Sequence, residues 1–295
     1  MSLGFLPGHS YGNSTYFDTL SEIDGEIASS VVGMHEMEGG RWDVKIAPAY
    51  IDARSIQMQY GGANSNGTAS FKAVGAAFSV QRELSPHWGV GFIGSYTSQQ
   101  GNGIITGPNG VSSGFLNGQP AAVGTQSGGI ISGTHDYLTA VTVTWDPFSG
   151  KDAEFRMPIT VGPAYMSRGM NYSNTVGSET DSAKITNTGL DVFANISFDI
   201  LVTKYFRLMP GALMFYGNNE LNYNFAANNN GAITSKTIAT RLGSVPDPTM
   251  YVDLLYRPWN VTLNYSVSPG LAQNKVNIYS LTWAHKWGVG KEEQN

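Results

Sequence analysis

Apolar and polar positions alternate along most of the chain with a period of two, in stretches of about ten residues separated by clusters of Gly, Asn, Ser and Pro. The alternation predicts ten strands, over residues 41–52, 69–84, 88–99, 134–146, 155–168, 187–203, 205–217, 248–257, 259–268 and 275–288. One parity of each strand is apolar or aromatic, as in Val192, Ala194, Ile196, Phe198, Ile200 and Val202. The other is mixed, as in Asp191, Phe193, Asn195, Ser197, Asp199 and Leu201. Successive side chains of a strand point to opposite sides, so each strand has one apolar face and one mixed face.

The connections alternate in length. Short turns fall at Ser85-Pro86-His87, residues 146–154, Thr203-Lys204 and Arg257-Pro258. Long loops fall at 53–68, 100–133, 169–186, 218–247 and, more modestly, 269–274. A soluble β-sandwich has no general reason to sort its connections this way. An antiparallel transmembrane β-barrel does, with short turns on the periplasmic rim and long loops outside.

That assignment gives every strand a direction, which the aromatic residues test independently. Trp42, Trp88, Trp145, Trp259 and Trp287, five of the six Trp, fall at the periplasmic ends on the apolar parity. Tyr50, Tyr96, Tyr137, Tyr165, Tyr216, Tyr265 and Tyr279 share that parity and lie toward the opposite ends. Trp42 to Tyr50, Trp88 to Tyr96, Tyr137 to Trp145 and Tyr279 to Trp287 are each eight residues apart. At a rise of about 3.3 Å and a tilt near 40° this is roughly 20 Å along the normal. Such spacing suits two aromatic girdles flanking an apolar band of about 25 Å. Aromatics filling a sandwich core would not need Trp at one rim and Tyr at the other.

Residues 1–40 support more than one reading. Ile23, Ile27, Val31 and Met34 would share one face of a helix, giving a short plug or a periplasmic segment. Alternatively, 5–17 and 25–37 form a further hairpin whose chain turns at Glu38-Gly39-Gly40, making twelve strands. The expected organisation is an N-terminal segment 1–40, a barrel 41–288 and a tail 289–295. The opening MSLGFLPGHSYG lacks the charged and apolar regions of a secretory signal, and the expectation is that a signal has been removed.

Composition narrows the class. Only 13% of the 295 residues are charged, yet no run reaches the roughly 18 apolar residues of a membrane helix. The absence of Cys removes disulfides, thiolate metal sites and Cys nucleophiles. A net charge of -5 and a pI near 5.5 argue against nucleic acid as a partner.

With the aromatic parity toward lipid, the other parity lines the lumen. Its charged members are Arg41, Lys45, Arg156, Arg207, Arg257 and Lys286 against Asp43, Glu83, Asp191, Asp199 and Asp253. Six against five leaves no strong sign to select ions by field alone. Many of these lie near the periplasmic end, where they form either a salt-bridge network that partly closes the barrel or a constriction for a small polar solute. Small inward residues, Ala73, Gly75, Ala77, Gly89, Gly91 and Gly162, leave space beside them. Inward Ile93, Leu138, Phe193, Met209, Leu213 and Phe215 make the upper lumen partly apolar, suiting a small aromatic or amphipathic solute or a packed interior.

No motif points to catalysis, and no cofactor or metal is expected. The glycine clusters at 101–103 and 107–110 lack the Gly-Lys-Ser/Thr ending of a phosphate loop. The five His, at 9, 35, 87, 135 and 285, have no metal-ligand spacing. His135-Asp136 is the best catalytic candidate, but adjacent strand residues face opposite sides and no Gly-x-Ser-x-Gly accompanies them.

In its girdles, alternating strands and unequal connections, the span 41–288 resembles Gram-negative outer-membrane β-barrels of ten to twelve strands, including small porin-like channels. The last strand is followed by Lys291-Glu292-Glu293-Gln294-Asn295, where those barrels usually finish on an aromatic. The resemblance implies a non-enzymatic channel in the bacterial outer membrane for passive diffusion or uptake, with lipids and small solutes as partners. The alternatives are a surface-interaction or structural barrel with a plugged lumen and, behind that, an outer-membrane hydrolase.

Overall fold

The computed structural model describes residues 25, 27–34, 36–59, 66–106, 113–116, 119–122, 129–148, 153–176, 179–229, 232–243, 248–267 and 276–288. The strands are β1 Trp42–Gln59, β2 Asn66–Glu83, β3 Trp88–Thr106, β4 Ser113–Leu116, β5 Gln119–Ala122, β6 Gly129–Trp145, β7 Phe155–Arg156 and β8 Ile159–Val176. They continue as β9 Glu179–Ser197, β10 Asp199–Thr203, β11 Phe206–Asn229, β12 Ala232–Gly243, β13 Thr249–Tyr256, β14 Val261–Val267 and β15 Val276–Trp287. Ten of them close into an antiparallel barrel in the order β1-β2-β3-β6-β8-β9-β11-β13-β14-β15, with β15 pairing back onto β1. The expected transmembrane β-barrel is therefore the fold, with ten staves.

Alternation decides which face of each stave is covered. Along β13, Tyr251, Asp253 and Leu255 are buried while Met250, Val252 and Leu254 are exposed. Exposed Val, Leu, Ile and Phe fill the belt between the Trp and Tyr rows, as at Ile46, Val74, Phe78, Phe92 and Val141. A continuous apolar belt of this kind is the surface that lipid, not water, covers.

The short rim is built by local turn chemistry. The Ser85 hydroxyl accepts from the main-chain N–H of His87 at 3.2 Å and of Trp88 at 3.0 Å. Thr203 Oγ1 accepts from Tyr205 and Phe206, and Asp146 Oδ1 from Phe148. The turn after β13 is a single 3-10 turn, Arg257–Trp259, closed by Asn260 at φ +53°. Asn tolerates that left-handed conformation better than most residues.

Several boundaries differ from the alternation. The loops read at 53–68, 169–186 and 218–247 are largely paired: β1 and β2 continue to Gln59↔Asn66, β8 and β9 to Val176↔Glu179, and β11 and β12 to Asn229↔Ala232. Part of 100–133 is also paired, including the small β4–β5 hairpin. Beyond the bilayer neither face has to be apolar, so the ladder goes on without an alternation to betray it. Staves of 17 to 24 residues, such as β6 and β11, exceed the ~9–11 that cross a membrane. The wall therefore stands well above the outer Tyr row. Among the described residues, β15 is paired with β1 as far as Ala53↔Val276 and β13 with β14 as far as Met250↔Val267.

The predicted strands 155–168 and 187–203 are each interrupted. Pro158 follows β7, and Phe198 separates β9 from β10 while its N–H pairs with Pro210. The short strands β7 and β10 sit beside β11 at the short rim.

Candidate functional site

Residues 27–32 are helical and buried, with Ile27, Val31 and Val32 fully covered and Met34 and Met37 nearly so. A strand over 25–37 is thereby corrected. Contacts with inward positions of β1, β2, β14 and β15, described below, place the segment inside the barrel, where the apolar positions 27, 31 and 34 meet the wall instead of extending it. Its proposed partner strand, 5–17, and Ile23 lie outside the described residues, as does the tail 289–295.

The segment runs down the lumen. A Cβ on Gly25 would lie 2.8 Å from Thr249 Oγ1 and 3.5 Å from the Phe215 ring, near the outer ends of β13 and of the membrane part of β11. Met34 lies against Gly89 at the other end, where a Cβ would collide with its thioether. Gly39 and Gly40, at φ +83° and +82°, then turn the chain into β1 at the short rim.

A helix ends with carbonyls that have no partner of their own. Here wall side chains supply them. Thr282 Oγ1 donates to Ser30 O at 3.0 Å, and Gln81 Nε2 to Val32 O at 3.1 Å and Val31 O at 3.3 Å. Lys45 Nζ donates to Gly33 O, placing a cation where the helix dipole favours one. Asn264, held by Asp253 at 2.6 Å, reaches Ser29.

Below the helix the chain is latched by charge. The Glu36 carboxylate lies 2.6 Å from Arg257 Nε and 3.0 Å from Arg207 Nε. Arg207 also donates to Asp199 at 2.8 Å and to Ala153 O at 2.9 Å. Glu83 Oε2 accepts from the N–H of Glu38 at 2.9 Å and of Gly39 at 3.0 Å, while its other oxygen meets Lys286 at 3.2 Å. Arg41 pairs with Glu38.

Nine of the eleven charges read from the sequence as lumenal lie in strands, while Arg41 precedes β1 and Arg257 sits in the 3-10 turn; six of the eleven (Arg41, Lys45, Glu83, Arg207, Arg257 and Lys286) contact residues 33–40 directly. Asp199 and Asp253 act one step back, through Arg207 and Asn264. Asp43 lies 3.9 Å from Lys45, Arg156 pairs with Asp146 at 2.7 Å, and Asp191 lies against Gly217 of β11. Asp146, read as the last residue of the strand 134–146 and the first of the turn after it, continues the inward parity of Thr142 and Thr144 and is fully buried. Glu36 was not singled out by the sequence, and Glu38 was read only as part of the turn Glu38-Gly39-Gly40.

The wall around the segment is largely small or polar: Ala47, Ala77, Ser79, Gln81, Thr142, Thr144, Thr160, Asn195, Ser197, Thr262 and Ser280 are all buried. Several polar atoms there have no hydrogen-bond partner among the described residues, including both Asp43 carboxylate oxygens, Gln81 Oε1, Arg156 Nη1 and Nη2, and Asn195 Nδ2.

On the outside, the aromatic residues meet in pairs across neighbouring staves. Trp42 stacks on Trp287 with centroids 6.4 Å apart, and Trp88 lies 6.3 Å from Trp145. Tyr96 and Tyr137 are 5.1 Å apart, and Tyr50 is in register with Tyr279. Trp259, Tyr165, Tyr216 and Tyr265 are likewise exposed. His135 packs on the outside against Tyr137, whereas Asp136 is buried within the lumen, so the two do not form a unit. Among the described residues no group of His, Asp and Glu has the arrangement of a metal site.

No protein-family model matches the chain, and no curated protein sequence matches it. Similarity is found among solved structures. The outer membrane protease OmpT from Escherichia coli is similar over 88% of this chain and 100% of its own, with a TM-score of 0.50 and 11% identity. The outer membrane protein OprG from Pseudomonas aeruginosa matches 87% of this chain and 100% of its own at a TM-score of 0.41 and 9% identity. The CymD monoaromatic hydrocarbon channel matches 95% of this chain and 93% of its own at a TM-score of 0.35 and 11% identity. At such identities the likeness is one of fold alone. With its ten closed staves and lipid-facing belt, the chain has the fold of a bacterial outer-membrane β-barrel.

Proposed function

We propose that the protein is a gated uptake channel for small solutes in the outer membrane of a Gram-negative bacterium, closed in this state by its own N-terminal segment. The observation that carries the reading is the chemistry of the wall behind that segment. A barrel closed for good would profit from an apolar packed interior, since unpaired buried polar groups each cost about 1–3 kcal/mol. Here the wall keeps Ser, Thr, Asn and Gln, with polar atoms that have no hydrogen-bond partner among the described residues. Water entering after the segment leaves would satisfy them. The charges first considered as a constriction serve in this reading as the latch that sets the closed state. No catalytic role is assigned, and lipids and solutes are the partners it requires.

The test is conductance in planar bilayers. The wild type is expected to stay mostly closed, and the double variant Gln81→Leu, Thr282→Val to open in frequent discrete steps, because it removes the donors to three helix-end carbonyls. Silence from a folded variant would overturn the channel reading.

One observation favours the alternative of a surface-interaction barrel: the staves continue far beyond the membrane, with β11 reaching 13 residues past Tyr216. At about 3.3 Å per residue and a tilt near 40° that is roughly 30 Å of wall. Binding of a partner abolished by deleting the β11–β12 hairpin end, from a protein that never conducts, is the result this alternative expects.

A further inference from the structure

We infer that the lipid face of the barrel's closing seam, across β15, β1 and β2 at the short-turn rim, binds an anionic phospholipid by its phosphodiester. The inference needs only the lipid-facing belt and is independent of whether the barrel conducts. It begins with the sixth Trp. Trp283 is exposed on the outward parity of β15 above Trp287, within the belt and away from the girdle row. Between the two indoles, on the same face, stands His285. Its ring centroid is 5.8 Å from each, with interplanar angles of 19° and 26°. Trp287 in turn stacks on Trp42 across the β15–β1 pairing, at 6.4 Å and 14°, and Arg82 of β2 sets its guanidinium 5.1 Å from the Trp42 ring. These side chains form one line over three staves.

Arg82 is the decisive member. Its neighbours Gln81 and Glu83 are buried toward the lumen, so Arg82 points outward. It is in register with Trp42 on one side and with Val90 on the other, and Trp88 is the next outward residue below Val90. The cation therefore sits between two Trp of the girdle, at the depth of the lipid headgroups. Among the described residues no carboxylate pairs with it; its contact is with the face of Trp42. Nor is any outward residue between the Trp and Tyr rows of β15, β1 and β2 acidic.

The face offers donors and almost no acceptors. A guanidinium and an indole N–H only donate, and an imidazole carries at least one N–H. A phosphodiester oxygen answers all three. An ethanolamine ammonium is itself a donor and finds at most one imidazole nitrogen to accept it. The surface thus favours a lipid whose headgroup is net negative over a zwitterionic one. The flat apolar faces of the indoles give the glycerol backbone and upper acyl chains a place to lie. A lipid seated there bridges the last and first staves from outside.

Vesicles of phosphatidylethanolamine with phosphatidylglycerol as the minor lipid test this, with brominated acyl chains placed on one lipid or the other. The full-length protein carrying Trp88→Phe, Trp145→Phe and Trp259→Phe fluoresces from Trp42, Trp283 and Trp287 alone. Brominated phosphatidylglycerol is expected to quench about fivefold more than its share of the lipid predicts, the ratio that one cation at a membrane surface is worth. Arg82→Gln should abolish the excess, Arg82→Lys should keep most of it, and His285→Phe, which preserves a ring in the stack but loses the N–H, should reduce it. Lys204→Gln removes a cation from over Tyr205 on the far side of the barrel and should leave the excess unchanged. Quenching by either brominated lipid in proportion to its share, survival of the excess in a folded Arg82→Gln barrel, or an equal loss in Lys204→Gln would overturn the site.

Discussion

Replacing Arg207 by Ala is expected to lower the stability of the barrel by about 3–5 kcal/mol, the usual cost of removing one partner from a buried ion pair. The guanidinium is completely buried and serves three acceptors: Asp199, Glu36 and the Ala153 carbonyl. Its loss strands the Asp199 carboxylate beside β11, while Glu36 keeps only Arg257. Arg207→Lys retains the charge but not the planar fork and should fall between the two. Urea titration of the protein folded in phospholipid vesicles, followed by tryptophan fluorescence, reads the difference. The same variant should conduct more often, because half of the Glu36 latch is gone. A midpoint equal to the wild type would show that the network is not what holds the short rim.

The second large effect concerns the lipid face. Ile46 lies four residues from Trp42 and four from Tyr50, with its side chain 48% exposed. Ile46→Arg puts a cation near the middle of the bilayer and should cost about 2–4 kcal/mol, whereas Phe148→Arg, in the turn after Trp145, should cost about 0–1 kcal/mol. Both residues are similarly exposed, at 48% and 45%, so exposure alone predicts equal effects. The same vesicle titration separates the explanations. Equal costs for the two variants would mean that the belt between the aromatic rows does not face hydrocarbon.

The membrane part of the fold was legible because lipid imposes a rule on every second residue. Where the bilayer ends the rule ends, and legibility with it: β11 runs on through Asn218 to Asn229, an Asn-rich stretch read as loop, yet it is paired on both sides with β9 and β12. Asp146 shows a milder failure. Its parity pointed inward, but its place beside Pro147 made it look like a turn, and it is in fact both, accepting from Phe148 N while pairing with Arg156.

The candidate site was legible by halves. Parity put the lumen charges on the inner face, but a single strand cannot say what an inward charge will meet. The answer lay in Glu36, Glu38 and the helix-end carbonyls, and the helical face read from Ile27, Val31 and Met34 does not say which wall residues those groups meet. Thr282, Gln81 and Lys45 complete the helix end, and nothing in the order of the chain links positions 30–33 to 45, 81 and 282.

The latch is also a seam. Residues 36–40 lead straight into β1, and β1 pairs with β15, the last stave to be made, with Trp42 opposite Trp287. Lys286 of that last stave reaches both Glu83 and the Glu36 carbonyl, so it ties the seam and the plug with one ammonium. The order of assembly follows. Staves β1 to β14 can zip through neighbour pairings, but the closing pair joins residues more than two hundred positions apart and is the slowest to find. Because Lys286 binds the Glu36 carbonyl as well as Glu83, the strand that seals the cylinder also helps to confine the cork.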